Sequence, residues 1–357
     1  MQKKISEFFS RSKADAILLR NIAAAPEQNF FYFSGLPFGH YSGSFLALRP
    51  GMAPVLIANC LENTGIPGLK ARRFSSKARL ESILKNEFSG AKKIGINFES
   101  YQKNAFSRAK KILRGKKFAD ISQALGKVRE TKTNKEISRI RKAARISEKA
   151  AQKIPDFIKK GMTENQLRFR LDCLLREEGD DDLAFSTIVA SGRNSSVPHH
   201  VPGSSKIGRG ILLVDFGAKY KNYCSDITRM FCIGKASESQ KGLYKKIFEA
   251  KKFAAGMCRP GVKCADVFEE TAGFIKKETG LGLIHGLGHG LGLEAHDFPH
   301  GFLEKSKDTL KEGMVLTLEP AVYTKQFGIR IEDDILITGN GCRLLSSAPE
   351  ELVELQL

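Results

Sequence analysis

The segment Ile211–Phe231 carries two aspartates whose spacing would bring acidic side chains together. A short apolar run, rich in leucine and β-branched residues, predicts a buried strand that ends at Asp215, and a second segment begins at Asp226 after a glycine and a polar turn. A hairpin of this kind places both carboxylates at its facing ends, which is unfavourable unless a positive charge lies between them. The pair therefore indicates either a bound cation or two ordinary turn and capping residues.

Histidine is rare in this chain and unevenly distributed. Six of the seven histidines lie beyond position 198, and most are next to glycine or proline. His285 and His289 have the spacing of one helical turn, but alternating glycines between positions 286 and 292 disfavour a helix there and let the backbone approach a site closely. A hydrogen-bonded imidazole with no further role is the alternative for any one of them. Their concentration in such segments favours a shared site.

Two glutamates extend this set of residues. Glu319 follows an apolar run in the segment TLEPAVY, and Glu332 lies beside Ile331 in the segment GIRIEDD. A glutamate at the inner end of a buried strand is unfavourable unless it is paired. For Glu332, an ion pair with Arg330 is the alternative to a cation.

The elements that would position these residues follow from hydrophobic periods and helix caps. A long helix is predicted from Thr133, which forms a capping box with Glu136, and a second helix begins with Thr163 and Gln166 in the same relation. Two further helices and five strands are predicted at Glu238–Met257 and Ala265–Lys277, and at Thr187–Ala190, Ile211–Val214, Val315–Leu318, Gly328–Ile331 and Ile335–Ile337. Two helix pairs that each lead into strands suggest an internal duplication.

The first part of the chain is predicted to be a separate α/β unit. A boundary near Gly115–Val128 divides the chain into domains 1–126 and 127–357, and alternating strands and helices in the first favour a mixed sheet covered by helices. No constellation of titratable residues is evident in residues 1–126, whose single histidine is His40. Its helices and strands are predicted at Lys3–Lys13, Ala14–Leu19, Phe30–Phe33, Phe45–Leu48, Ala53–Ile57, Lys93–Asn97 and Gln102–Leu113.

The net charge of +19 is concentrated in the first domain. Residues 1–126 contain 21 lysines and arginines against 8 acidic residues, a net charge of +13, and the remainder contributes +6. These basic residues are scattered and are not interleaved with aromatic residues, as a stacking platform for nucleic acid would need. A solvated lysine-rich surface is therefore predicted, and the pattern disfavours nucleic acid as a partner.

Composition also indicates the compartment. The chain has 357 residues, of which 41% are hydrophobic, and no run approaches the ~18 apolar residues of a membrane span. The N-terminal stretch lacks the apolar core of a signal peptide. Seven cysteines without a C-x-x-C spacing are predicted to be buried thiols. These features predict a cytoplasmic protein without membrane contact.

The order of these motifs resembles the pita-bread metallopeptidases, in the branch that contains prolidase and Xaa-Pro aminopeptidase. The resemblance covers nearly the whole chain and rests on the segments NFFYFSGL, TKTNKEISRIRKAA, VDFGAKYKNYCSDITR, GLGHGLGLEAHD, TLEPAVY and GIRIEDD. It implies an α/β (α+β) protein in which residues 1–126 form a creatinase-like α/β domain. Residues 127–357 would then form the catalytic pita-bread domain.

The resemblance also implies a dinuclear metal site with five protein ligands. Asp226 and Glu332 would bridge both ions, Asp215 would complete one, and His289 with Glu319 would complete the other. One histidine and four carboxylates suit Mn, Co or Fe better than a structural zinc, so two divalent ions (Mn, Co, Fe or Zn, with Mn favoured) are the expected cofactors. A water shared by the ions would become a bridging hydroxide near neutral pH.

Other residues acquire roles around the substrate from the same resemblance. His296, Glu319 and His199 would be catalytic: His296 stabilises the tetrahedral intermediate, and Glu319 moves a proton as well as binding metal. His199, His285, His296 and Arg330 would line the substrate, with Arg330 also orienting Glu332 or a neighbouring carboxylate. Residues left without a role are His200 and Cys224.

The implied activity is hydrolysis of the Xaa-Pro bond at the N-terminus of peptides or in dipeptides, by a protein that forms a homodimer. A proline imide has no N–H, which makes a dedicated site plausible. Methionine aminopeptidase-like activity, hydrolysis of another carbon–nitrogen bond, and a non-catalytic binding protein with the same fold are the alternatives. The long N-terminal domain disfavours the first, and the intact ligand set disfavours the others.

Overall fold

The computed structural model describes residues 2–22, 26–37, 39, 41–65, 69–179, 181–349 and 351–356. His40 lies outside the described residues. The chain forms two compact units, Met1–Val128 and Arg129–Leu357. The division falls close to the boundary at 126/127 expected from the sequence. No helix in the described ranges is long and apolar enough to cross a bilayer.

The first unit is built on a mixed six-stranded sheet with the order β4-β3-β2-β1-β5-β6. β1 pairs antiparallel with β2 and parallel with β5, so the predicted mixed sheet is confirmed. The strands and helices are β1 Ala16–Arg20, β2 Phe45–Leu48, β3 Val55–Asn59, β4 Lys70–Phe74, β5 Lys93–Ile96 and β6 Lys117–Asp120, with α1 Gln2–Arg11, α2 Gln28–Ser34, α3 Lys77–Glu87, α4 Lys103–Ile112 and α5 Ser122–Glu130.

The strand predicted at Phe30–Phe33 is wrong, because these residues lie in helix α2. The carboxylate of Glu27 accepts a hydrogen bond from the N–H of Asn29 and caps the helix, which ends at Gly35 in the left-handed conformation. All four aromatic side chains are buried, so the helix has no polar face whose period could reveal it. Aromatic residues are common in strands, which is why a strand was predicted here. The helix cap and the burial of all four side chains outweigh that preference.

The described part of the second unit contains four long or medium helices and several sheets, in which all strand pairs but one are antiparallel. The main ones have the orders β20-β12-β9-β8 and β14-β13-β15-β18-β19. The elements are α6 Asn134–Phe157, α7 Glu164–Glu177, α8 Glu238–Met257 and α9 Cys264–Thr279, with β7 Asp182–Leu183, β8 Ile188–Ser191, β9 Gly210–Phe216, β10 Ala218–Tyr220, β11 Tyr223–Cys224, β12 Ile227–Ile233, β13 Gly288–Gly290, β14 Asp297–Phe302, β15 Val315–Leu318, β16 Ala321–Tyr323, β17 Gly328–Arg330, β18 Asp333–Ile337, β19 Cys342–Leu344 and β20 Val353–Leu355.

Strand β9 is buried on both faces. Leu212 and Val214 pack into a core that includes residues of α6 and α7, whereas Ile211 and Leu213 pack into one that includes residues of α8. This double burial explains why the strand reads as a continuous apolar run and not as an alternating pattern. Asp215 therefore stands at the end of a rigid strand.

The caps predicted for two helices are confirmed, and the two helix pairs have matching turns. The capping boxes at the starts of α6 and α7 both form. After α6, Thr163 makes an isolated antiparallel bridge with Lys206, and after α8, Lys263 makes one with Thr309. The turn between α6 and α7 and the turn between α8 and α9 thus each form an antiparallel bridge with a segment that lies further along the chain.

Candidate metal centre

The predicted hairpin is confirmed and brings the two aspartates together. β9 pairs antiparallel with β12, with Asp215 opposite Thr228. Asp226 directly precedes β12, and its backbone N–H donates to the carboxylate of Asp334, 3.1 Å from Oδ1. This hydrogen bond fixes the point at which the second strand begins, and with it the position of the Asp226 carboxylate.

The glycine-rich segment forms a strand in the other main sheet and carries His289. A Cβ at Gly288 would lie 2.1 Å from the carbonyl oxygen of Thr317, and one at Gly290 would lie 2.2 Å from that of Pro299. Neighbouring strands therefore approach this backbone more closely than any side chain allows. Glu319 follows β15 in that sheet, so the close approach sets the spacing between His289 and Glu319.

Three of the expected ligands form a compact cluster. Single ligand atoms of Asp226, His289 and Glu332 all lie within 4.8 Å of one another. The Nε2 atom of His289 is 3.6 Å from Asp226 Oδ2 and 3.8 Å from Glu319 Oε1. The structure thus places four of the five expected ligands around one point.

Asp215, the fifth expected ligand, forms an ion pair with Arg330. Its Oδ2 is 2.5 Å from Arg330 Nη2, in a pair that is almost fully buried. Its Oδ1 is buried and has no hydrogen-bond partner among the described residues. A buried carboxylate oxygen without a donor is costly, and a hard divalent cation would satisfy it.

The electrostatics of the cluster favour a cation. Burial raises the pKa of Asp226 well above its usual range, and the charges of Glu332 and Asp215 raise it further. Burial and the charge of Asp215 raise the pKa of Glu332 to about 8, and burial and Glu332 raise that of Glu319. Four carboxylates that oppose each other's ionisation form a ligand set suited to divalent ions. The residues present fit a metal centre.

His289 has the protonation state and orientation of a ligand. Burial lowers its pKa to about 3, so the ring is neutral at pH 7. Its Nδ1 lies 3.3 Å from the carbonyl oxygen of Gly290, which can only accept, so Nδ1 carries the proton. Nε2 is left with a free lone pair that points to the carboxylates, as metal binding requires.

His296 stacks on this ligand. The ring centroids of His289 and His296 are 3.8 Å apart, with 15° between the ring planes. Burial lowers the pKa of His296, a charge on His199 would lower it further, and Asp215 opposes the shift. His296 and His199, the two histidines expected to be catalytic, are close enough to Asp215 to affect its ionisation.

His285 is held by a tyrosine that the sequence analysis did not single out. Its Nδ1 lies 2.7 Å from the carbonyl oxygen of Gly286, so Nδ1 donates and Nε2 accepts from the hydroxyl of Tyr323 at 2.9 Å. Burial lowers the pKa of His285 to about 4. Tyr323 also accepts from Arg330 Nη1 at 2.9 Å. Tyr323 is the last residue of the segment TLEPAVY, so its place in that motif could have identified it.

Arg330 forms its ion pair with Asp215. The alternative interpretation of Glu332, as the ion-pair partner of Arg330, is therefore wrong. The Nε of Arg330 donates to the hydroxyl of Thr228 at 3.1 Å, and that hydroxyl donates to Glu332 Oε2 at 2.8 Å. Arg330 therefore reaches Glu332 through Thr228. Thr228 could have been found from its place in the segment SDITR.

Glu164 explains His200, which had no expected role. The carboxylate is fully buried and lies 2.8 Å from Nε2 of His200. It also accepts from the N–H of Ser191 at 2.8 Å and from the side chain of Asn194 at 2.9 Å. One buried carboxylate therefore holds both ends of the loop that carries His199. Nothing in the local sequence singles it out from other acidic residues in a first helical turn.

Replacing Glu164 with alanine is expected to loosen this loop. The free energy of unfolding should fall by about 1–3 kcal/mol because buried donors lose their acceptor, and kcat/KM should fall about 10-fold because His199 is no longer held. Urea denaturation and steady-state kinetics measure the two effects. Glu177→Ala, an exposed change in the same helix, is the control. Equal behaviour of the two variants would contradict the assignment.

Cys224 is a buried thiol, as predicted, whereas the same prediction is wrong for Cys60, whose side chain is exposed. Cys224 is fully buried, and burial raises its pKa to about 12. Its N–H donates to the carbonyl oxygen of Gly292 at 2.7 Å, and its Sγ lies 3.6 Å from that of Leu293. The residue joins the aspartate hairpin to the glycine-rich segment.

Comparisons with known proteins identify the family of this chain. The profile of metallopeptidase family M24 matches residues 138–339, and that of the creatinase/prolidase N-terminal domain matches residues 2–131. A Pyrococcus horikoshii protein named Xaa-Pro dipeptidase is 32% identical over 360 residues, which covers 98% of both chains.

Solved structures of similar proteins extend over the whole fold. An Xaa-Pro dipeptidase from Bacillus anthracis is 28% identical, with a TM-score of 0.90 and 99% of both chains covered. An X-Pro aminopeptidase from Thermotoga maritima is 30% identical, with a TM-score of 0.89 and coverage of 98% of this chain and 99% of that one. The mixed α/β fold with two domains is the fold of these proteins. The chain therefore belongs to metallopeptidase family M24 and carries a creatinase/prolidase N-terminal domain.

Proposed function

We propose that this protein hydrolyses the bond between an N-terminal residue and a following proline, in dipeptides and at the N-terminus of longer peptides. The observation that carries the proposal is the full-length similarity to proteins named Xaa-Pro dipeptidase, combined with the compact cluster of Asp226, His289 and Glu332. The similarity to an X-Pro aminopeptidase supports the inclusion of longer peptides.

The proposed cofactor is a pair of divalent ions, with manganese favoured. Asp226 and Glu332 would hold the ions together with His289, because single ligand atoms of these three residues lie within 4.8 Å of one another. Asp215 would bind through its unpartnered Oδ1, and His289 through Nε2 with Glu319 beside it. When bound, such ions activate water and polarise a carbonyl group. An oxygen-rich ligand set favours manganese over zinc.

The chain's own residues would hold and protonate the substrate. His296, stacked beside the cluster, is placed to donate a hydrogen bond to charge that develops on the scissile carbonyl oxygen. Glu319, whose carboxylate lies 3.8 Å from Nε2 of His289, would carry a proton toward the departing proline nitrogen. His199 and His285 would position the substrate. Arg330 would hold Asp215 and, through Tyr323, the ring of His285.

An assay on three peptides tests the proposal. Purified protein loaded with manganese, cobalt or zinc is incubated with Ala-Pro, Ala-Pro-Ala and Met-Ala-Ser. Cleavage of the two proline peptides is the expected result, and their relative rates separate a dipeptidase from an aminopeptidase. Cleavage of Met-Ala-Ser alone would assign methionine aminopeptidase activity instead. No cleavage with any metal would favour a binding protein.

His296→Ala is expected to lower kcat about 10²–10³-fold while leaving KM nearly unchanged, because a donor used in the transition state is removed. Steady-state kinetics on Ala-Pro with fully loaded protein gives both constants. Metal content is measured in parallel, and it should be unchanged because His296 is not among the proposed ligands. His300→Ala, an exposed histidine nearby in sequence, is the control. A rise in KM at constant kcat would make His296 a substrate-binding residue only.

A further inference from the structure

A cavity of about 360 Å³ lies in the first unit, between strands β1–β4 and helices α3 and α4. Its floor is apolar and includes Leu18 of β1, Phe45 of β2, Leu84 of α3 and Ile112 of α4. This volume is in the range of a small-molecule pocket. The metal centre is built from residues of the second unit, so this cavity is a separate feature.

One polar group in the wall lacks a partner. The hydroxyl of Tyr101 is buried and forms no hydrogen bond with any residue that the structure describes. Burial raises the pKa of this phenol, so it stays protonated and can donate. Buried hydroxyl groups are normally hydrogen-bonded. A ligand in the cavity with an acceptor atom would supply the missing partner.

Two arginines give the wall a positive charge. Arg20 stands at the end of β1, close enough to influence the ionisation of Tyr101, and Arg108 lies on α4. Within the described part of the chain neither forms an ion pair. By contrast, Arg49 and Arg72 of the same unit both pair with the buried carboxylate of Glu87. The cavity thus holds cationic side chains that are not paired with any carboxylate among the described residues.

The first turn of α4 adds N–H donors to the same wall. Gln102 is the N-cap, and its side chain forms no capping hydrogen bond. Gln102, Asn104 and Ala105 line the cavity, so the start of this helix, with its uncapped N–H groups, borders the space. Helix N-termini favour negative charge. The two arginines, the Tyr101 hydroxyl and the start of α4 therefore all favour a ligand with a negative charge.

We propose that this cavity binds a small organic anion with an apolar body. The anionic head would accept from the Tyr101 hydroxyl and pair with Arg20 and Arg108. The apolar body would cover Leu18 and Phe45. A carboxylate and a phosphate monoester share this chemistry, and the size of the cavity excludes neither. The binding site is independent of the peptidase activity proposed above.

Calorimetric titration of the metal-loaded full chain tests the site with three probes. These are 4-phenylbutyrate, phenyl phosphate and the uncharged analogue 4-phenyl-1-butanol. At least one anion is expected to bind about tenfold or more tightly than the alcohol, and the tighter of the two identifies the head group. Equal affinity for the alcohol and both anions would overturn the proposal.

Two variants locate the binding. Arg108→Gln and Tyr101→Phe are each expected to weaken binding of the anion about tenfold, because each loses one contact with its charge. Lys111→Gln removes the same charge from an exposed position of α4 outside the cavity and should bind like the parent protein. Arg108 is exposed, so its replacement tests the site even if the tyrosine variant folds poorly. Unchanged affinity in Arg108→Gln would assign the anion to another site, such as the metal centre.

Discussion

Asp226→Asn is expected to abolish metal binding and peptidase activity while raising the melting temperature of the metal-free protein. Asp226 Oδ2 lies 3.6 Å from Nε2 of His289, and burial and the neighbouring carboxylates oppose the ionisation of Asp226. Loss of this ligand should reduce activity below about one-thousandth of the parent value, because water and carbonyl activation both depend on the metal. The same change removes a repulsive buried charge, which stabilises the metal-free fold.

Metal analysis and thermal denaturation separate these two effects. Both proteins are loaded with manganese, dialysed and analysed for bound metal, and melting is then recorded with and without chelator. Asp182→Asn, a neutralised aspartate on the surface, is the matched control and should retain metal and activity. Retention of two ions per chain by Asp226→Asn would exclude a bridging role. A lowered melting temperature without metal would show that the carboxylate supports the fold.

Arg330→Met is expected to lower the free energy of unfolding by about 3–5 kcal/mol, because it leaves the buried carboxylate of Asp215 without its counter-ion. Arg330 is 3% exposed, and its guanidinium contacts Asp215, Tyr323 and the carbonyl oxygen of Pro198. A methionine of similar length retains the apolar packing of the stem, so the loss reports the charge and its hydrogen bonds.

The size of this effect is measured in metal-free protein by urea denaturation, so that metal affinity does not contribute. The double variant Arg330→Met/Asp215→Asn should recover a large part of the loss, because the unpaired charge is then absent. Arg343→Met, an exposed arginine of β19, is the control. A loss below about 1 kcal/mol for Arg330→Met would place the pair among weakly coupled surface ion pairs.

The features that sequence could predict are those encoded by neighbouring residues. The hairpin of Asp215 and Asp226 follows from an apolar run, a glycine and a turn, and the capping boxes at Thr133 and Thr163 are each defined by residues three positions apart. Helix α8 has the predicted limits because its cap and its amphipathic period agree. In each case the local signal and the tertiary environment favour the same structure.

The features that sequence could not predict depend on distant contacts. The helix at Phe30–Phe33 is buried on all sides and has no amphipathic period, and β4 and β6 are partly exposed strands at the sheet edges with no apolar pattern. Glu164 acquires its importance only because the loop from Ser191 to Gly203 folds back over it. The partner of Arg330 is a carboxylate on another strand, which no rule of neighbouring residues identifies.

The matching bridges after α6 and after α8 have an evolutionary consequence. Around Thr163, Ile207 donates from its N–H to Met162, and around Lys263, Leu310 donates to Val262, so the two ties have the same hydrogen-bond pattern. Duplication of one ancestral gene segment, encoding a helix pair and its strands, would leave this pattern. Asp215 and Asp226 follow the first helix pair in the chain, and Glu319 and Glu332 follow the second.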